Sequence, residues 1–211
     1  MEIKQNLTRV NYTTSSSREI KYIVVHYTGN KGDTAKNNTE YFKTVQRGAS
    51  AHYFVDSDSI WQCVEDRHIA WHCGAKVYRH PKCRNTNSIG VELCNGVQSF
   101  DTDTVQNAAW LIKELMQRYN VPVENVIRHY DVTGKLCPAS LVDENKWKEF
   151  KNLLREGVDM EELNNLKAEF KQYVEHTSGI INMMGKEIKA LQDIINIMGK
   201  EIAELKSDKQ K

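Results

Sequence analysis

The stretch Val126–Pro138, VIRHYDVTGKLCP, decides how this chain folds. It opens as a short apolar run, passes through a turn marked by Gly134, and stops at Pro138. Within it His129, Lys135 and Cys137 bring together an imidazole, a cation and a thiol. The seven residues between His129 and Cys137 are too many for one helical turn. A strand end followed by a folded-back loop would bring both side chains to one point. Zn2+ favours nitrogen and sulfur donors in a tetrahedral shell, so the pair reads as part of a metal site. Two ligands do not make a site, and a third has to come from elsewhere in the chain.

The third candidate is His26, in IKYIVVHYTG. Ile20–Val25 is a β-branched run of the kind found in buried strands, and it ends at His26 just before the Thr28–Gly29 turn. A lone histidine in such a place is more often a core or surface residue. Facing the same cleft as a His/Cys loop, it completes a set of two histidines and one cysteine with the fourth position open. Three protein ligands and an exchangeable water form the pattern of a catalytic zinc, whereas structural sites are closed by four.

Four motifs occur in order along the chain: IVVHYTG, SAHYFVD, NSIGVELC and RHYDVTGKLCP. Together they resemble the zinc N-acetylmuramoyl-L-alanine amidases, a family that includes amidase-type phage endolysins and the peptidoglycan recognition proteins. The resemblance covers about residues 18–155. It implies Zn2+ held by His26, His129 and Cys137. It also implies an endolysin that hydrolyses, with a zinc-activated water, the amide between the lactyl group of muramic acid and the L-alanine of the stem peptide in bacterial peptidoglycan. Two other readings share the fold. One is a non-catalytic peptidoglycan receptor, which commonly lacks the cysteine ligand; the other is a cytoplasmic amidase that recycles wall fragments.

Glu92 interrupts the apolar character of Ser88–Leu93. Strand alternation puts it on the face shared with Gly90 and Ser88. A carboxylate aimed at the reacting water can take its proton and pass it to the leaving amine. The resemblance supports that role for family members with VEL or IEL here, while other members use a tyrosine on the neighbouring strand. At the corresponding position this chain has Ala51, followed by His52 and Tyr53, so the role goes to Glu92 and Tyr53 is held in reserve. Lys135, two residues before Cys137, is by type a solvated charge. The resemblance makes it the group that stabilises the oxyanion of the tetrahedral intermediate.

The remaining patterns fill in an α/β domain. Thr34–Arg47 reads as an amphipathic helix behind an Asp33 cap, and Ala51–Val55 with Ile60–Val64 as a hairpin across the Asp56–Ser59 turn. Thr104–Tyr119 carries apolar residues at helical spacing, and Asp143–Leu154 reads as a closing helix. The expectation is a mixed central β-sheet flanked by helices, with residues 1–19 laid over it as an arm. Asp66–Asn87 is a long polar loop rich in histidine and aromatic residues, and loops of that length tend to be functional. His52, Tyr53, Trp71, His72 and Asn87 are the candidates for lining a substrate groove. For Trp71, pinning the loop to the core is an equal reading.

Composition narrows the partners. Forty per cent hydrophobic residues suffice for a core, and a net charge of +1 gives no electrostatic case for nucleic acid or an anionic membrane. No apolar run approaches the length of a membrane span. The N-terminal MEIKQNLTRVNYTTSSSREIKY lacks the apolar core of a secretory signal. The expected course is synthesis in the cytoplasm and action on the wall after release. Five cysteines without a CxxC do not make a disulfide scaffold or a zinc ribbon, although Cys73 and Cys83 flank a loop that an oxidising exterior would let them bridge.

Beyond Gly157 the chain changes character, which divides it into a catalytic domain, residues 1–157, and a tail, residues 158–211. GIINMMGKEIKALQ at 179–192 is followed by DIINIMGKEIAELK at 193–206, a repeat of two heptads. Ile181, Met184, Ile188, Leu191, Ile195, Met198, Ile202 and Leu205 alternate at spacings of three and four, and the register runs back through Val174, Phe170, Leu163 and Met160. That seam predicts a coiled coil and self-association through residues 160–205. Ile180 and Ile194 widen the seam, and the strand count stays open between two and four. Eight lysines against ten acidic residues in 158–211 argue against a cationic membrane-active helix.

Overall fold

The computed structural model describes residues 1–96, 99–155 and 160–208, the last with side chains at 171–200. By internal contacts the chain divides into two units, Met1–Glu156 and Gly157–Lys211. The boundary expected at Gly157 lies outside the described residues.

The first unit is built on a six-stranded mixed sheet. Its strands are β1 (Ile3–Gln5), β3 (Tyr22–Tyr27), β4 (Tyr53–Val55), β5 (Ile60–Gln62), β7 (Ser88–Leu93) and β8 (Val126–Arg128), in the order β1-β5-β4-β7-β3-β8. All neighbours run parallel except the β4–β5 hairpin. Asp56 Oδ1 accepts from the Asp58 and Ser59 amides and closes that hairpin turn. Two further short strands, β2 (Tyr12–Thr13) and β6 (Ile69–Ala70), form a separate ribbon. The N-terminal arm is therefore part of the sheet system. β1 pairs along the edge with β5, where only the partly buried Ile3 faces inward, so its sequence carries no buried-strand signature.

Strand alternation gives the sheet two unlike faces. Ile23, Val25, Tyr53, Val55, Ile89, Val91 and Leu93 belong to one core with helices α2 (Thr102–Tyr119) and α4 (Glu144–Arg155). α2 contributes Ala108, Leu111, Ile112 and Leu115, all fully buried, and α4 contributes Trp147, Phe150 and Leu154. Each large aliphatic side chain so buried is worth about 1.5–3 kcal/mol. Asn120 ends α2 in the left-handed conformation at φ 51, and Pro122 follows. On the other face Tyr22, Val24 and Ile127 meet Cys73, Cys83 and Val132 from loops and the short helix α3 (His129–Thr133). Helix α1 (Ala35–Lys43) packs beside β4 and β5.

Several boundaries differ from the sequence reading. α1 is capped by Thr34, whose hydroxyl accepts from the Asn37 amide; Asp33 instead accepts from Asn38 and the Asn95 amide. The helix stops at Lys43 and not at Arg47. The fold-back after β8 begins as the helical turn α3, where a plain loop was expected. All five cysteines are buried free thiols, Cys73 and Cys83 included.

The second unit contains α5 (Met160–Asp208), 49 residues long, or about 70 Å at 1.5 Å per residue. Ile181, Met184, Ile188, Leu191, Ile195 and Met198 of the expected seam are exposed along it. The side chains of Met160, Leu163, Phe170, Ile202 and Leu205 lie outside the described residues. Among the described residues no helix is long and apolar enough to cross a membrane.

Candidate metal and catalytic centre

The register of three strands assembles the centre. His26 on β3 pairs with Glu92 on β7, and Glu92 pairs in turn with Phe54 on β4, so the three side chains run in a row across the sheet face away from the main core. β8 lies on the other side of β3, and its end delivers His129 as the first residue of α3. Gly134, at φ 84, caps α3 and turns the chain back. The Tyr130 amide then donates to the Cys137 carbonyl at 2.8 Å and closes the loop. The three ligand atoms of His26, His129 and Cys137 lie within 4.8 Å of one another, and all three residues are buried. Cys137 Sγ is 3.8 Å from His26 Nδ1.

The loop is clamped from behind by Arg128, a residue the sequence reading passed over. Its guanidinium is buried and bonded to both Asp131 carboxylate oxygens, to Glu144, and to the carbonyls of Leu141 and Val142. One cation thus joins α3, the 139–142 turn and α4 immediately before the ligand His129. The Arg–Asp spacing of three and the acidic start of α4 were visible in sequence, but their convergence was not.

Electrostatics favour donors over charges. Burial, reinforced by the neighbouring His129, His72 and Lys135, holds His26 well below the usual imidazole range. Burial and Lys135 bring His129 down to about 4. Both rings are therefore neutral and offer lone pairs near neutral pH, and His129 Nδ1 is buried without a partner. Burial, helped by Glu92, pushes the Cys137 thiol up to about 12. Two neutral imidazoles, one of them with an unpartnered ring nitrogen, and a buried sulfur fit a divalent cation with nitrogen and sulfur preference.

Glu92 stands at the mouth of this cluster. Its Oε1 is 3.9 Å from His26 Nδ1, its Oε2 is buried and unpartnered, and the side chain keeps 19% of its surface exposed. Burial lifts its carboxyl to about 8, with Lys135 opposing the rise and Asp33 adding to it. A cleft of about 390 Å3 opens here, lined by Glu92, Lys135 and Phe54, by Tyr27, Thr28 and Asn30 after β3, and by Asp33, Asn37, Asn38, Tyr41 and Phe42 of the α1 region.

None of the five residues read as groove-lining lies in that cleft. His52 is fully buried, and its Nδ1 accepts from the Gly90 amide. Tyr53 sits beside Val91 on the core face and donates to Asp66 at 2.6 Å. Burial and Asp66 push its phenol up, so it has neither the position nor the acidity of a proton shuttle. Trp71 donates from its indole to Thr13 and pins the loop to the N-terminal arm. Asn87 accepts from the Arg84 amide, donates to the Lys82 carbonyl, and builds the turn before β7. His72 is buried and bonded to His26. The cleft residues that the reading missed carried one faint signal: Asn37, Asn38 and Tyr41 put amide and phenol groups on a helix just after the turn that follows His26.

At the strand ends of this mixed sheet, a buried His/His/Cys cluster that could hold a metal ion stands beside an acid and an open cleft. The chain belongs to the N-acetylmuramoyl-L-alanine amidase family, which residues 16–140 match. It is similar to the N-acetylmuramoyl-L-alanine amidase CwlL of Bacillus licheniformis, with 31% identity over 91% of this chain and 58% of that protein. XlyA of Bacillus subtilis is 35% identical over 62% of this chain and 42% of its own length. Among solved structures, the catalytic domain of XlyA superposes with a TM-score of 0.64 at 31% identity, covering 73% of this chain and 99% of that one. PlyL, in a mutant form, gives the same TM-score and identity over 74% of this chain and all of its own. This chain spans about half the length of the curated relatives it matches.

Proposed function

We propose that this protein is a zinc-dependent N-acetylmuramoyl-L-alanine amidase of the endolysin type, which cuts bacterial peptidoglycan between the lactyl group of muramic acid and L-alanine. The observation that carries the reading is the buried cluster of His26, His129 and Cys137 with Glu92 beside it and a cleft in front. His26, His129 and Cys137 would hold Zn2+, which when bound supplies a Lewis acid and lowers the pKa of a water. Glu92, with an unpartnered oxygen and a carboxyl poised near neutrality, takes a proton from the attacking water and returns it to the departing alanine nitrogen. Lys135, exposed on the cleft rim, faces the developing oxyanion with its ammonium. The Asn30, Asn37 and Asn38 amides suit the peptide groups of a stem, with Tyr41 and Phe42 for its apolar parts. Retention of Cys137 favours the enzyme over a receptor that only binds. The family match and the endolysin-type relatives give the same direction.

The exposed Ile/Met stripe of α5 supports a second part of the proposal, a coiled-coil stalk through which several copies associate. Several catalytic units on one stalk would raise the local concentration of sites at a polymeric wall. Light scattering of the full chain and of a truncation lacking residues 158–211 tests it, and an unchanged mass per particle rejects it. The chemistry is tested by incubating purified peptidoglycan with the native protein, Cys137→Ser and Glu92→Ala. New alanine amino groups without new reducing ends, lost in both variants, are expected. Reducing ends without alanine amines would mean a glycosidase. No product from several wall types, with metal bound, would mean a receptor.

A further inference from the structure

His72 and Ser88 form a buried chain of hydrogen bonds behind His26, and its donors and acceptors can be counted for neutral rings. The Ser88 hydroxyl has a single hydrogen, and it goes to the Arg84 carbonyl at 2.7 Å, because a carbonyl can only accept. At 3.2 Å from His72 Nε2, Ser88 Oγ is therefore the acceptor, and the imidazole must supply the hydrogen. In the imidazole tautomer that carries this hydrogen on Nε2, Nδ1 is a bare lone pair. That lone pair lies 3.0 Å from His26 Nε2, which must then carry the hydrogen of its own ring. The remaining nitrogen, His26 Nδ1, is left unprotonated, and it is the one that faces Cys137 Sγ and Glu92.

The surroundings hold this chain in place. A Cβ at Gly90 would come within 2.6 Å of His72 Cγ and 2.8 Å of its Nδ1, so the ring lies flush against β7 only because that position is glycine. The His72 ring meets His26 edge-on, with centroids 5.1 Å apart and planes at 86°, and its own amide donates to Asn85 Oδ1. Neither ring is free to turn over without breaking a buried bond.

We infer that His72, oriented by Ser88, is the positioning residue that fixes the tautomer and ring angle of the metal ligand His26, presenting Nδ1 to the cation. The inference rests on the metal reading of His26, His129 and Cys137. His72 touches neither the cation nor the substrate in this role; it acts through His26. Partners of this kind typically change metal affinity by about 10–100-fold when removed.

The test uses the full chain. In zinc-loaded, 15N-histidine-labelled protein, long-range proton–nitrogen correlation should find hydrogen on Nε2 of both His26 and His72. Hydrogen on His26 Nδ1 would overturn the inference. Zinc affinity, read by competition with a chromogenic chelator, should fall about 10–100-fold in His72→Leu. It should largely recover in His72→Asn, whose side-chain oxygen can accept where Nδ1 did. A purely packing role would be served by leucine at least as well as by asparagine, so equal affinity in native and His72→Leu protein also overturns it. Should the leucine variant fail to fold, Ser88→Ala takes its place: a mixture of His72 tautomers and weaker zinc are expected, and unchanged values count against the idea. A native protein that binds zinc no better than Cys137→Ser sinks the metal reading itself, whereas native binding with an indifferent His72 sinks only this inference.

Discussion

On one face of the sheet Ile23, Val25, Val91 and Leu93 meet α2 and α4; on the other, His26, Ser88 and Glu92 from the same two strands meet loops and a cleft. Neighbouring residues on one strand thus serve opposite ends. The helix-covered face gains from removing apolar surface from water. The loop-covered face buries imidazoles, a thiol and a carboxyl, whose desolvation is unfavourable and is tolerated where it prepares a site. Because alternation separates the two jobs by a single residue, stability and chemistry should come apart on mutation.

The sharpest separation is expected at Cys137→Ser. The change is nearly isosteric but replaces a soft donor, so amide hydrolysis per folded molecule should drop by about 10^3-fold or more while the circular dichroism spectrum is kept. Retention of both would mean that sulfur is not a ligand. Glu92→Gln should lower turnover about 10^2–10^4-fold and act on stability in the other direction. In chelator-stripped protein the Glu92 carboxyl titrates near 8 against an ordinary 4.5, so the native state holds the proton more tightly than the unfolded chain. Stability should therefore decline as pH rises from about 4.5 through 8, by something on the order of 4 kcal/mol, and the glutamine variant should lack that decline. Urea midpoints measured across this range decide it.

From the other face, Leu111→Ala should cost about 2–5 kcal/mol of unfolding free energy with kcat/KM of the folded fraction unchanged. A comparable loss of kcat/KM in that variant would mean the two faces are mechanically coupled. The smallest effect belongs to Trp71→Ala. Since Trp71 binds the N-terminal arm and not the cleft, its activity should stay within about threefold of native, an energy difference of about 0.6 kcal/mol. A large loss would mean that Trp71 itself meets the substrate.

The parts of the site that were legible in sequence are those that a strand carries by itself. His26 and His129 each follow a β-branched or apolar run, and the metal preference for nitrogen and sulfur joins them to Cys137 without any knowledge of register. Ser88–Leu93 has the bounds expected of it, because its apolar run ends in Glu92–Leu93 before Cys94–Asn95. The groove was not legible. His52, Tyr53, Trp71 and His72 are residue types that often touch sugars and peptides, but type does not say which way a side chain points. Tyr53 pairs with Val91 and so faces the core; Phe54, one residue on, pairs with Glu92 and lines the cleft. The edge strand β1 was also missed, because three residues with Ile3 alone partly buried are too few to show alternation.

By itself the sequence determined the α/β class, the three metal-ligand candidates, the acid beside them, and a long C-terminal helix with an apolar stripe. Each follows from local periodicity or donor chemistry, which a few neighbouring residues encode. Only the tertiary structure decided which side chains share a face, that His72 stands behind His26 and not in front of it, and that the cleft is lined from α1. These depend on strand register and loop closure, and there a shift of one residue exchanges the core for the site.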